Sequence, residues 1–126
     1  MQPISTDRAA APLGHYSQAI AHQGLVFVST QLPIEPGGRV EPGAAPGVQA
    51  ERALRNVLAI VEAAGGSAST VLRVTIYLTD IGAWAEVNAA YARLMGGARP
   101  ARGVLQVAGL HHGFTVAMDA VAASGS

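Results

Sequence analysis

The sequence predicts an α/β domain of the α+β kind, a mixed six-stranded sheet with two helices packed on one face. Three observations predict it. Runs rich in Val, Ile, Phe and Thr recur along the chain, which is the composition of strands. Between them lie two segments whose apolar residues repeat at helical spacing, each stopped by a Gly-Gly pair. The strand runs are apolar on both sides, so two helices leave one face in need of cover. Self-association is the simplest cover. At 126 residues the chain is one domain, 1–126, with one core.

Taken in order, residues 1–14 read as an extended arm closed by Gly14, and Tyr16 to Ala21 as a short strand. A turn at Gln23-Gly24 leads into Leu25-Val26-Phe27-Val28-Ser29-Thr30-Gln31, a second strand. The stretch from Pro33 to Gly47 carries Pro33, Pro36, Pro42 and Pro46 among several glycines. It reads as turns with one short edge strand near Val40. From Val48 to Ala64 the period changes. Leu54, Val57, Leu58 and Val61 fall on one helical face, with Glu51, Arg52, Arg55 and Glu62 elsewhere. Gly65-Gly66 ends that helix. Val71 to Thr79 alternates as a strand. Asp80 is the N-cap expected for a second helix through Trp84, Val87, Tyr91 and Leu94, which stops at Gly96-Gly97. Pro100 opens a strand from Ala101 to Val107. A loop at Leu110 to Gly113 joins it to a last strand, Thr115 to Ala122.

Composition excludes several kinds of chemistry. Acidic and basic residues balance at 8 and 8, so the electrostatic footprint of a nucleic-acid or membrane-surface binder is missing. All eight basic residues are arginines. Without lysine there is no Schiff base to a carbonyl substrate and no P-loop cation. Without cysteine there is no disulfide, thiolate nucleophile or Cys-based zinc site. The first residues do not have the pattern of a secretory signal, and no apolar stretch reaches membrane-spanning length. The expectation is a soluble cytoplasmic protein.

Four segments carry a family resemblance that runs from Ile4 to Ala122. Gly14-His15-Tyr16-Ser17-Gln18-Ala19 resembles the motif G-P-Y-S-Q-A. Val26-Phe27-Val28-Ser29-Thr30-Gln31-Leu32-Pro33 resembles V-F-x-S-G-Q-I-P. Glu86-Val87-Asn88-Ala89-Ala90-Tyr91 resembles x-V-N-x-x-Y. Arg99-Pro100-Ala101-Arg102, followed by Val107-Ala108, resembles P-A-R-[ST]-x-V-x-V-A. Together they resemble the RidA/YjgF/UK114 family. That resemblance implies a chorismate-mutase-like fold and a homotrimer with three clefts between subunits. It also implies cofactor-independent hydrolysis of 2-imino or enamine acids to 2-keto acids and ammonia. No metal or organic cofactor is implied, and the partners are a small carboxylate substrate and further copies of the chain.

Residue by residue, Arg102 matches the arginine that grips the substrate carboxylate. A planar guanidinium suits that task because it can give two parallel charge-assisted hydrogen bonds. The competing reading is a structural ion pair at a strand start. Tyr16 matches a tyrosine that walls the cleft or donates a hydrogen bond there; otherwise it is packing. Ser29 and Asn88 match cleft-lining residues, and each could equally be an inert polar residue where it stands.

The departures are as informative. The glutamate of the family's last strand falls at Ala117, which cannot activate water. Asp119 lies two residues on, on the same face of a strand, about 6–7 Å away. It is either a displaced acid or a solvated or interface charge. Gly103 and Val104 follow the arginine where the family carries serine or threonine and often cysteine. Thr30 replaces a pocket glycine, His15 a proline, and His111-His112 a Pro-Lys-like loop. Any of these histidines could move protons near neutral pH. The adjacent pair lacks the spacing of a helical zinc site. Three functions stay open: a slow imine hydrolase, a specialised enzyme cyclising or tautomerising another carboxylate, and a non-catalytic metabolite-binding trimer. On the hydrolase reading, Ala117→Glu should raise kcat more than it changes KM.

Overall fold

The computed structural model describes residues 1–124. Six strands and two helices follow in the order β1 (Gln2–Ile4), β2 (Ala19–His22), β3 (Leu25–Gln31), α1 (Pro46–Ala63), β4 (Val71–Leu78), α2 (Trp84–Met95), β5 (Ala101–Gln106) and β6 (Val116–Ala123). They form one sheet with the strand order β1-β2-β3-β6-β4-β5. All neighbours are antiparallel except β4 and β5, which run parallel and are joined through α2. The mixed sheet with both helices on one face is as expected.

Local chemistry sets the elements. The β2–β3 hairpin turns on Gln23 and Gly24, both at positive φ (52° and 80°). That is the geometry that matches the twist of a two-residue hairpin. Helix α1 starts at Pro46, two residues before the expected start, because proline is favoured in a first turn that needs no N–H partner. At its end Gly65 has φ 90°, and a Cβ on Gly66 would lie 2.8 Å from the Ala123 carbonyl oxygen and 2.9 Å from Val61 Cγ1. The Gly-Gly pair therefore both ends the helix and lets the chain press against the end of β6.

Four expectations are corrected. The N-terminal arm holds a strand, β1, paired with β2 through Pro3 opposite Ile20. Three residues carry no readable period, and the pairing exists only because β2 offers an edge. The edge strand near Val40 reduces to one isolated bridge to Ile34. The strand read from Tyr16 begins at Ala19, which leaves Tyr16 in the preceding loop. Asp80 does cap, but it caps the short 3-10 turn Ile81–Ala83 that leads into α2, accepting from the Gly82 N–H at 2.8 Å.

The core lies between the helices and one face of the sheet. Leu54, Val57, Ile60 and Val61 of α1 and Val87 and Ala90 of α2 pack on Val26, Val28, Val74, Ile76, Met118 and Ala120. Buried amides pin the irregular segments to it. Gln49 donates to the Pro42 and Ala44 carbonyls and accepts from the Thr115 N–H. Asn56 donates to the Leu32 and Ile34 carbonyls. Gln18 bonds Thr6 and Ala10. Such side chains satisfy loop carbonyls that would otherwise be buried unpaired. Among the described residues no helix lies on the sheet's other face, which leaves Leu25, Phe27 and Leu105 exposed. No helix among the described residues is long and apolar enough to cross a membrane.

Candidate functional site

Arg102 sits on β5 opposite Val74 and points to the helix-covered side. There α2 presents Trp84, Asn88 and Tyr91, one face of the helix by their spacing. Asn88 Oδ1 accepts from Arg102 Nη1 at 2.8 Å. The guanidinium carbon lies 4.8 Å from the Tyr91 ring centroid and 5.6 Å from that of Trp84, within cation–π range. No ion pair to Arg102 exists among the described residues, so it is not the structural salt bridge that sequence left open. The Tyr91 hydroxyl is buried with no partner among those residues. Burial raises its pKa while Arg102 works against the rise. Val104 borders the same small recess.

A second group lies on the open face. Thr30 Oγ1 donates to Asp119 Oδ2 at 2.9 Å, and the Tyr77 hydroxyl donates to the same oxygen at 2.8 Å. The hydrogen bond to Asp119 raises the Tyr77 pKa, with burial adding to it. A break in the β3–β6 register between Val28 and Gln31 accompanies the arrival of Thr30 at Asp119. Tyr16 is half-exposed and lines one small cavity with Thr30, Gln31 and Leu32. Its hydroxyl accepts from the Leu13 N–H at 3.3 Å. Ala117 shares this face but is fully buried, opposite Tyr77. Gly103 is here too, and a Cβ on it would lie 2.9 Å from Arg73 Nη2. The Arg73 side chain thus fills the space that a larger residue at 103 would take.

The chain therefore joins Thr30 to Asp119 and sets Tyr16 beside Thr30 in one cavity, and separately groups Arg102, Asn88 and Val104. It does not bring the two groups together, because they lie on opposite faces of the sheet with β4 between β5 and β6. Ser29 is engaged elsewhere. Its hydroxyl donates to the Ser17 carbonyl at 2.7 Å and its N–H to that of Gln18 at 2.9 Å, which ties the loop before β2 to β3. His111 and His112 pack edge to face, 4.2 Å apart, in an exposed turn, with His112 at φ 62°. His15 is exposed in its loop. Among the described residues no three His, Asp or Glu side chains are grouped to hold a metal ion. Tyr77, Trp84 and Tyr91 were not singled out as site residues. The signal was there in the alternation Arg73-Thr75-Tyr77 and in the helical spacing of 84, 88 and 91.

Comparison with known proteins assigns the chain. The sequence pattern described as Endoribonuclease L-PSP matches residues 6–124. The chain belongs to this family, the RidA/YjgF family. Within it, the chain is 40% identical over 123 residues to protein DfrA of Myxococcus xanthus, covering 96% of this chain and 94% of that protein. It is 37% identical to the rat protein named 2-iminobutanoate/2-iminopropanoate deaminase, covering 97% and 89%. Its fold superposes on the crystal structure of Escherichia coli TdcF with bound serine at a TM-score of 0.92, with 32% identity and 98% of both chains covered. The chorismate-mutase-like fold implied by the resemblance is the fold found.

Proposed function

We propose that this RidA-family chain hydrolyses small 2-imino or enamine acids to 2-keto acids and ammonia, in clefts between the subunits of a homotrimer. The observation that carries the reading is Arg102. Its guanidinium is held by Asn88 and two aromatic rings, yet among the described residues no carboxylate neutralises it. A cation prepared in this way is ready for a substrate carboxylate. The rat relative's name and the serine bound in TdcF point to the same ligand class, small acids bearing nitrogen next to a carboxylate. Serving both the Arg102 and Asp119 groups with one substrate requires two copies of the chain, one offering each face. The exposed Leu25, Phe27 and Leu105 are the surface such copies would cover. The family description names a ribonuclease, but a chain with 8 acidic and 8 basic residues offers no basic track for RNA.

The chemistry follows from those positions. Water adds to the imine carbon, the nitrogen takes up protons, and the carbinolamine collapses to the keto group and ammonia. Arg102 holds the carboxylate and fixes which face of the C=N bond is open. Asp119 stands in for the acid that Ala117 lacks. Both hydroxyl donors reach its Oδ2, so Oδ1 is left to take a proton from the attacking water and return it to nitrogen. The test is release of pyruvate from 2-aminoacrylate. Wild type should exceed the rate in water, and Arg102→Ala should lose about 2–5 kcal/mol in kcat/KM with an unchanged fold. A wild-type rate equal to that of water would overturn the reading.

A further inference from the structure

A separate cavity of about 220 Å³ lies between the proline-rich loop and the first turns of α1. It shares no lining residue with the recess of Arg102 or the cavity of Tyr16 and Thr30. Its charged lining comes from Glu35, Arg39 and Glu41 in the loop and Glu51, Arg52 and Arg55 on the helix. Most of these charges are already paired. Arg39 meets Glu35 at 3.8 Å and also pairs with Glu41, and Arg55 meets Glu51 at 3.5 Å.

Arg52 is different. No carboxylate lies within ion-pair distance of it among the described residues. Its Nη2 donates to Asn56 Oδ1 at 3.0 Å, while its Nε is buried with no acceptor. Asn56 is itself fully buried and donates to the Leu32 carbonyl at 3.3 Å and the Ile34 carbonyl at 2.8 Å. The guanidinium is thus fixed from behind by an amide that the loop backbone fixes in turn. Arg52 also lines the cavity, so an oxygen ligand held there would give its guanidinium the counter-charge it lacks among the described residues. Burial also pushes the Arg52 pKa down, with Arg55 adding to this and Glu35 and Glu51 opposing.

We propose that this cavity binds a small zwitterion of the α-amino-acid class, its carboxylate on Arg52 and its ammonium toward Glu35. Three guanidinium and three carboxylate groups line the space, so it has no net charge to attract a bare anion. An anion on Arg52 would also lie in the field of Glu35 and Glu51. A ligand that carries its own positive charge beside the carboxylate meets both signs. The volume is below the range of drug-sized pockets and suits a few heavy atoms. This site goes beyond the deaminase reading and uses none of its residues.

The experiment is calorimetric titration of L-alanine, acetate and methylammonium into the Arg102→Ala chain, in which the first carboxylate group is silenced. L-alanine should bind saturably, and the two half-ligands at least tenfold more weakly. Adding Arg52→Gln should remove L-alanine binding, and Arg52→Lys, which keeps the charge but not the planar fork, should weaken it. Circular dichroism confirms that each variant is folded. Adding Glu35→Gln should weaken L-alanine while leaving acetate unchanged or tighter. The site is refuted by L-alanine binding that ignores both Arg52 variants, by acetate binding as tightly as L-alanine, or by no saturable binding in the Arg102→Ala chain. If L-alanine binds wild type but not Arg102→Ala, binding belongs to Arg102. That outcome sinks this site and leaves the deaminase reading standing. Failure of the pyruvate assay with intact L-alanine binding does the reverse.

Discussion

Along β6, Val116, Met118, Ala120 and Ala122 face the helices and are buried, while Asp119, Val121 and Ala123 on the other face stay partly open. β4 repeats the contrast, with Val74, Ile76 and Leu78 buried and Thr75 and Tyr77 partly open. On the covered face nearly every side chain is aliphatic because a polar group there would lose water without finding a partner. Its one cation among these strands, Arg102, stands on the edge strand β5, where the helices do not seal the sheet and Asn88 supplies a partner. The open face can hold a hydrogen-bonded carboxylate, because Thr30 and Tyr77 donate to it and no helix among the described residues shuts it off from water. Stability is therefore concentrated on one face. The groups that could do chemistry lie on the other face and at the sheet's edge.

Four tests, with five substitutions in all, probe that division from the largest expected effect to the smallest. Asp119→Asn keeps the size of the side chain but removes the base, and kcat for imine hydrolysis should fall by about 10²–10⁴-fold with the melting temperature nearly unchanged. Steady-state kinetics beside a thermal melt reads both, and an unaffected kcat would move the proton chemistry to a histidine. Next, Ile76→Ala on the covered face should cost about 2–5 kcal/mol in urea unfolding. Leu105→Ala on the open face should cost far less in fold stability and instead weaken self-association, seen by sedimentation. Equal costs would mean that the two faces are not different in kind.

Third, sequence alone predicts a gain in kcat from Ala117→Glu, and burial changes that expectation. Ala117 is fully buried, so a glutamate there must displace packing and lose water. Overpacking alone should cost about 1–3 kcal/mol of stability, measurable by denaturant midpoint. The smallest effect belongs to Tyr77→Phe, about 0.5–1.5 kcal/mol for one hydrogen bond. The folded-state pKa of Tyr77 is raised by its bond to Asp119. Its contribution is fully present below the ordinary tyrosine pKa and is lost as pH rises through the raised value. The stability gap between wild type and Tyr77→Phe should thus hold from neutral pH into mild alkali and close only beyond it. Ultraviolet titration should show two tyrosines ionising late in wild type, Tyr77 and the buried Tyr91, and only Tyr77 moving earlier in Asp119→Asn.

Much of this was legible in the sequence. Helix α1 could be read because Leu54, Val57 and Val61 repeat at 3.6 residues, and β4 because its apolar residues alternate. β1 could not, since three residues including Pro3 give no period. Val40 misled because a valine between turn residues has strand composition but no neighbour to pair with beyond Ile34. Arg102, Asn88 and Tyr16 follow from the family resemblance, Thr30 from a departure from it, and Asp119 from the two-residue period of a strand beyond Ala117. The clamp on Asp119 was not legible, because Tyr77 lies 42 residues away and only the β4–β6 register brings it there.

What the sequence determined by itself is whatever local chemistry and periodicity encode: the helices and their glycine stops, the main strands, the lack of lysine and cysteine chemistry, and an arginine next to the start of β5. The tertiary structure alone decided partnership. It joined Thr30 and Tyr77 to one oxygen of Asp119, put Arg102 on the opposite face, and left Arg52 held by Asn56 with no counter-charge among the described residues. Period and composition act over a few residues, whereas strand register and helix docking are settled by burial of the whole core. Which polar groups meet across it follows from that packing and from no single stretch of the chain.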